Sequence, residues 1–252
     1  MKLIFFGTGN AAGIPVFGCN CSICMDARAG EGCRKSTSAC LSLNGVSILI
    51  DAGRTDLATL FEAYNFDRIL LTHYHVDHVQ GLFHLRWGNK GLKIPVHGPY
   101  DEQGCADLFQ HPGILDFSEP IKAFESKTLA GLTITAVPLN HSKPTLGYCF
   151  EYNNKKLAYL TDTIGLPSET KKFLTNWLPT MLVIDCTHSP EVMNPRNHNN
   201  LTMAMDIHNI VCPEQTYLTH ISHELDAYWY LNKVQLPSNV FIATDGKEVW
   251  VP

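Results

Sequence analysis

Short apolar runs broken by turn residues recur along the whole chain. "KLIFFG", "ACLSLNG", "VSILIDAG", "RILLTH" and "KIPVHG" come first, followed by "LTITAVPLNH", "LGYCFEY", "KLAYLTD", "MLVIDCTH", "QTYLTHIS" and "VFIATDG". Each reads as a β-strand. Helical spacing of apolar positions predicts helices over 55–64, 77–87, 101–111, 168–176, 201–211 and 224–231. Strands come in pairs early and alternate with helices later, which predicts an α/β layered architecture with mixed sheets. No low-complexity linker or short repeat interrupts the pattern. A chain of 252 residues suits one large domain or two small ones.

Five of the predicted strands end in a side chain able to hold a metal. They end at His73 in "LLTH", His141 in "VPLNH", Asp162 in "YLTD", Asp185 and His188 in "VIDCTH", and His220 in "YLTH". Ligand-type residues at the tips of apolar strands suit a site built on one edge of a rigid scaffold. The densest segment is "LLTHYHVDHVQGLF", with His73, His75, Asp77 and His78. His73 and His75 share a face while the chain is extended, because the strand period is two. A helical pattern starts at Asp77, and the bend lets the first two histidines hold one cation while Asp77 and His78 hold a second. Imidazole suits zinc, iron, nickel or manganese, and carboxylate shifts the preference toward harder ions. His141, Asp162 and His220 are the candidates for the remaining ligands, with Asp162 shared.

Composition and charge narrow the chemistry. Hydrophobic residues make up 45% and charged residues 17%, a globular rather than a disordered balance. A net charge of −5 argues against a broad basic surface for nucleic acid. It leaves room for a small anion, because bound metals reverse the local sign. No stretch is apolar enough to span a bilayer. The opening "MKLIFFGTGN" reads as a strand and turn rather than a secretory signal. Nine cysteines, mostly isolated among apolar neighbours, then point to reduced thiols and a cytoplasmic protein. Cys40, Cys105, Cys149, Cys186 and Cys212 read as small buried residues.

"THYHVDH", followed by His141, Asp162 and His220, resembles the metallo-β-lactamase superfamily. The resemblance implies an αββα sandwich with two mixed β-sheets flanked by helices, as one domain over residues 1–252. On its edge it implies a dinuclear centre: His73, His75 and His141 on one ion, Asp77, His78 and His220 on the other, and Asp162 bridging. Asp51 in "ILIDAG" matches the superfamily's upstream aspartate, which supports the ligands. "GTGNAAGIPVFGCNCSIC", "THYHVDHVQGLFHLRWG", "GPYDEQGCADLFQHPGILDF", "PLNHSKPTLGY", "NPRNH" and "LTHISHELD" together look like the phosphoribosyl 1,2-cyclic phosphate phosphodiesterases of the carbon–phosphorus lyase pathway. The likeness runs over essentially the whole chain.

That family implies hydrolysis of 5-phospho-α-D-ribosyl 1,2-cyclic phosphate to ribose 1,5-bisphosphate in phosphonate catabolism. Two ions, expected to be Mn2+ (zinc, nickel and cobalt stay open), hold the hydroxide that attacks phosphorus. His198 in "NPRNHNN" is the general acid that the likeness implies, with Asp185 and His188 orienting neighbours. Arg196 and Lys143, and further out Arg34 and Lys35, are candidates for the substrate's other phosphate. The partner is a small phosphorylated sugar, with no membrane and no stable nucleic acid; a homodimer follows from the likeness alone. Other readings on the same scaffold are a phosphodiesterase acting on 2′,3′-cyclic nucleotides or tRNA 3′ ends, and a lactamase or thiolester hydrolase. A non-catalytic redox or metal-binding module belongs to another class. His84, His97, His111 and His208 read as structural or surface residues.

"FGCNCSICMDA" places Cys19, Cys21 and Cys24 within six positions. Thiolates so close in a reducing compartment favour zinc, which takes four ligands. Cys33 is the fourth ligand that local sequence suggests. The resemblance assigns His223, in "YLTHISHEL", to a closed Cys3His structural Zn2+ site that ties the N-terminal loop to the segment presenting His220.

Overall fold

In β1 (Lys2–Gly7), Leu3 and Phe5 enter one apolar layer, and Ile4 and Phe6 enter another. The computed structural model describes residues 1–61 and 66–252, and repeats this division in strand after strand. Ile48 and Ile50 of β3 (Val46–Ile50) face the first layer while Leu49 faces the second. In β11 (Met181–Asp185), Met181 and Val183 join the first layer, and Leu182 and Ile184 turn to a third. A strand apolar at every position must be covered on both faces, since successive side chains alternate. The layer common to both groups of strands is the filling between two sheets.

The first sheet has the order β14-β1-β2-β3-β4-β5-β6. It adds β2 (Ser38–Leu43), β4 (Arg68–Leu70), β5 (Ile94–His97), β6 (Leu115–Asp116) and β14 (Glu248–Trp250) to β1 and β3. The second has the order β13-β12-β11-β10-β9-β8-β7. It contains β7 (Ser126–Leu129), β8 (Leu132–Pro138), β9 (Leu146–Tyr152), β10 (Lys155–Leu160), β12 (Gln215–Thr219) and β13 (Val240–Ile242) beside β11. Both are mixed: β3 to β6 and β10 to β13 run parallel, and the remaining neighbours are antiparallel. Helices α2 (Leu57–Leu60), α3 (Val76–Val79), α4 (Leu82–Leu85) and α5 (Ala106–Gln110) cover the outer face of the first sheet. Helices α6 (Ser168–Trp177), α7 (Leu201–Val211) and α8 (His223–Asn232) cover that of the second. The architecture is the expected αββα sandwich. Among the described residues, no helix is long and apolar enough to cross a membrane.

The departures from expectation have local causes. The helix expected over 77–87 is split into α3 and α4. Gly81 N–H, which would continue the first helix, instead donates to the Ala52 carbonyl at 2.8 Å. The approach is so close that a Cβ on Gly81 would lie 2.1 Å from the Arg54 carbonyl oxygen. Of the helix expected over 55–64, α2 is present and 62–65 lie outside the described residues. The helix expected over 101–111 shrinks to α5, after turns at 102–105. Strand β7 was hidden by its polar, half-exposed sequence "SKTL", as suits an edge. Helix α1 (Ser22–Arg28), inside the cysteine segment, was not expected either. Cys40, Cys149 and Cys186 are buried, but Cys105 is only half-buried. Cys212 is exposed, because it caps α7 in the left-handed conformation that turns the chain away from the core.

Candidate metal centres

The ends of β4, β8, β10, β11 and β12 converge on one edge of the sandwich. The first set of donors is His73, His75, His141 and Asp162, and the second is Asp77, His78, Asp162 and His220. Within each set the donor atoms lie within 4.8 Å of one another, and Asp162 belongs to both. His75 Nδ1 stands 2.9 Å from His73 Nε2 and 3.0 Å from His141 Nε2. Asp162 Oδ2 is 3.6 Å from His73 Nε2 and 3.8 Å from His141 Nε2. In the second set it is 3.1 Å from His78 Nε2 and 3.5 Å from His220 Nε2. Asp77 Oδ2 lies 3.5 and 3.4 Å from the same two nitrogens. Four donors on bonds of about 2.1 Å to one ion stand roughly 3.4 Å apart, so both sets fit a cation.

Four of the five rings are turned by a bond on the other nitrogen. Thr72 Oγ1 donates to Asp51 Oδ2 at 2.8 Å, which leaves its oxygen to accept from His73 Nδ1 at 3.0 Å. His78 Nδ1 donates to Asp51 Oδ2 at 2.8 Å, and Thr72 N–H donates to Asp51 Oδ1 at 2.8 Å. His141 Nδ1 donates to the Asn197 carbonyl at 3.0 Å, and His220 Nδ1 to Thr187 Oγ1 at 2.8 Å. These bonds place the protons on Nδ1 and aim the Nε2 lone pairs of His73, His78, His141 and His220 into the centre. His78 Nε2 is buried and has no hydrogen-bond partner. It lies 3.1 Å from Asp162 Oδ2, a place that a cation between the two would satisfy. Asp51 and His220 both have left-handed backbones, with φ of 57° and 61°. Such a conformation costs about 1–3 kcal/mol in a non-glycine residue, and here the bonds through Thr72 and Thr187 hold it.

The electrostatics call for positive charge. Burial opposes ionisation of Asp162, but the surrounding imidazoles, His220 and His78 first, hold its carboxyl well below the usual range. Burial likewise works against Asp77, yet His78 beside it brings it down to about 2. Burial lowers His73, His75 and His141, favouring the neutral rings that coordination needs. His78 is raised: burial resists its charge, but Asp162, Asp51 and Asp77 outweigh that.

Asp185 Oδ2 accepts from His198 Nδ1 at 2.8 Å and from Thr163 N–H at 3.0 Å. Against the cost of burial, the Asp185 carboxylate raises His198 to about 9. The His198 ring stacks on His220 at 4.7 Å, and its Nδ1 is 4.0 Å from Asp162 Oδ2.

The second cluster joins Cys19, Cys21, Cys24 and His223. His223 Nδ1 is 3.6 Å from the Cys19 sulfur and 3.5 Å from that of Cys21. Cys21 precedes α1, which packs on α8, and His223 is the first residue of α8. The Ser222 side chain caps that helix by accepting from Leu225 N–H at 3.2 Å. Cys33 stands apart, its thiol donating to the Ala27 carbonyl at 3.1 Å.

The model of the β-lactamase superfamily domain matches residues 47–221, which span every donor of the dinuclear cluster. The chain belongs to the β-lactamase superfamily. Among solved structures, a diphosphatase from the PhnP family is 27% identical, with a TM-score of 0.81, covering 98% of this chain and 96% of that one. An octanoyltransferase of Porphyromonas gingivalis is 25% identical over 98% of this chain and 51% of its own length. A ribonuclease Z of Clostridium acetobutylicum is 32% identical over 49% of this chain and 46% of its own. The chain spans about half the length of these two curated relatives.

Within this superfamily scaffold, the candidate phosphate-binding residues fare unevenly. Arg196 is exposed, and among the described residues it makes no ion pair. Lys143 is engaged by Asp101 at 3.0 Å. Arg34 is buried and committed to Asp226, Thr8 and the Ala243 carbonyl, so it faces no substrate. The backbone N–H of Lys35 donates to Asp245. His188 is half-buried, 6.2 Å from the His198 ring. Thr72 and Thr187 were missed. Their signal was a threonine immediately before the ligand in "LLTH", "YLTD" and "YLTH", and before His188 in "DCTH".

Proposed function

We infer that the chain is a metal-dependent phosphoric diester hydrolase that opens 5-phospho-α-D-ribosyl 1,2-cyclic phosphate to ribose 1,5-bisphosphate. The observation that carries this reading is two four-donor sets sharing Asp162, with the His198 imidazole beside them on an Asp185 tether. Divalent ions, manganese by expectation, held by His73, His75, His141, Asp77, His78, His220 and Asp162 supply a nucleophilic water at neutral pH and neutralise phosphoryl charge. The chain's own groups do the rest. Asp162 and the neutral imidazoles turn their lone pairs into the centre and so fix where the ions would sit. His198 keeps Nδ1 on Asp185, so Nε2 is the atom that gives a proton to the departing sugar oxygen. Arg196, exposed and without an ion pair, is free to meet the 5-phosphate.

The same reading makes residues 1–252 one domain, places the protein in the cytoplasm and in phosphonate catabolism, and gives it a small sugar phosphate rather than nucleic acid as partner. The cysteine cluster takes a structural zinc ion. The test is turnover of the cyclic sugar phosphate by the manganese-loaded protein, followed by phosphorus NMR. No ring opening under conditions where bis(p-nitrophenyl) phosphate is cleaved sinks the substrate assignment. A second reading, diphosphatase activity, is favoured by the match over nearly the whole length of the PhnP-family diphosphatase. Cleavage of a nucleoside diphosphate with the cyclic sugar left intact would establish it instead.

A further inference from the structure

Away from the metal centres, a cavity of about 190 Å3 lies at the β4–β6 edge of the first sheet, lined by Arg68, Pro95, His97, Asp116, Ser118 and Glu119. Leu70 pairs in register with His97, and Arg68 lies two residues before Leu70 on the same strand. Leu70 belongs to the filling between the sheets, so Arg68 and His97 share its inward face. A guanidinium and an imidazole turned toward an apolar filling need partners. His97 is only 4% exposed, and its Nδ1 donates to the Glu119 carbonyl at 2.9 Å. Its Nε2 is buried with no partner, and so is Arg68 Nε. Unsatisfied buried groups of this kind are costly and point to something that completes them.

The missing partner has a definite chemistry. Since a carbonyl can only accept, the ring proton sits on Nδ1, and Nε2 offers a lone pair. Burial, with Lys127 and Arg68 nearby, lowers the pKa of His97 and keeps the ring neutral. The ligand must therefore donate to His97 while accepting from Arg68. The carboxylates are already balanced, Asp116 by Lys93 and Glu119 by Lys127, each at 2.9 Å. Arg68 has no ion pair among the described residues, so one positive charge remains over. A cation is disfavoured by that charge, and among the described residues the donor atoms of His97, Asp116 and Glu119 do not converge as a metal-binding group.

We propose that this cavity binds a hydrogen phosphate group, as inorganic phosphate or the end of a phosphomonoester, with P–O− accepting from Arg68 and P–OH donating to His97 Nε2. The cavity holds the volume of about six waters, room for a tetrahedral oxyanion.

The test uses the full metal-loaded protein with 15N-labelled histidine, titrated with inorganic phosphate, ribose 5-phosphate and sulfate. The expected result is a saturable shift of the His97 Nε2 resonance with phosphate. Arg68→Met should weaken it about tenfold or more, as for loss of a charge-assisted hydrogen bond. Arg68→Lys, which keeps the charge without Nε, should fall between the two. Tighter binding of ribose 5-phosphate supports a phosphomonoester as the ligand, and binding of the free ion alone supports inorganic phosphate. The proposal is overturned by an unmoved His97 resonance at phosphate levels that perturb the dinuclear ligands, by equal shifts in both Arg68 variants and the parent, or by sulfate binding as tightly as phosphate.

Discussion

The donors of the dinuclear cluster come from four strand ends between positions 73 and 220, whereas three of the four donors in the cysteine cluster fall between 19 and 24. The two clusters also differ in what stands behind them. At the dinuclear cluster Asp51, Thr72, Thr187 and the Asn197 carbonyl turn the rings, and the supporting strands are buried on both faces. At the cysteine cluster a short loop and the first turn of α1 meet the first turn of α8; Val16 N–H donates to the Cys24 sulfur at 3.3 Å, the Glu224 carboxylate lies 2.7 Å from His223 Nε2, and the Ser222 side chain caps α8. A centre that does chemistry needs donors held in place while a position stays open to substrate. A centre that only fastens two segments can spend all four donors on the ion. The clusters are joined through chain, since His220 and His223 lie either side of that cap.

The sharpest way to break this contrast is Asp162→Ala. It removes the one donor common to both sets, so turnover should fall by at least about 10⁴-fold, beyond the range of a single acid–base group. Metal analysis should show loss at the dinuclear centre with zinc in the cysteine cluster retained; equal loss from both would mean that the clusters are not independent. Next comes His198→Ala, with kcat expected to drop about 10²–10⁴-fold and metal content unchanged. A drop in metal content that tracks the rate would make His198 a ligand rather than the acid.

Thr187→Val tests the scaffold of the dinuclear side. Thr187 Oγ1 accepts from His220 Nδ1 and donates to Asp185 Oδ1 at 3.0 Å, so one hydroxyl orients a metal ligand and the partner of His198. Loss of such support typically costs 10–100-fold in metal affinity or activity, and Thr187→Ser should restore it. If serine does not, the methyl group and not the hydroxyl matters. His223→Ala should remove about one zinc per chain and lower the thermal midpoint. Activity should fall only as far as His220 loosens, which metal-saturated kinetics would show. Cys33→Ala should do nearly nothing, because its thiol meets a carbonyl and not the cluster. Zinc lost from Cys33→Ala but kept in His223→Ala would reverse the assignment.

Much of the fold could be read from periodicity. The apolar runs of β1, β3, β10, β11 and β12 are strands because every second residue serves a different layer, and α7 runs over its expected 201–211. The elements that were missed carry weak patterns: β7 is polar, β6 and β14 have two and three residues, and α1 hides among cysteines. The break at Gly81 was not legible, because the carbonyl that takes its N–H belongs to Ala52.

The sequence by itself determined the donor types, their places at strand ends and the crowding of histidines at 73–78, since these are matters of local spacing. Tertiary structure decided which of these ends meet. Sheet order sets the end of β4 opposite those of β10 and β12, so Asp162 lies between His78 and His220. Packing of α1 against α8 brings His223 to the thiols and leaves Cys33 aside, although Cys33 is much nearer along the chain. The bonds of Thr72 and Thr187 were decided in the same way. A hydroxyl's partners depend on which atoms come within about 3 Å, and spacing along a chain does not report that distance between distant strands.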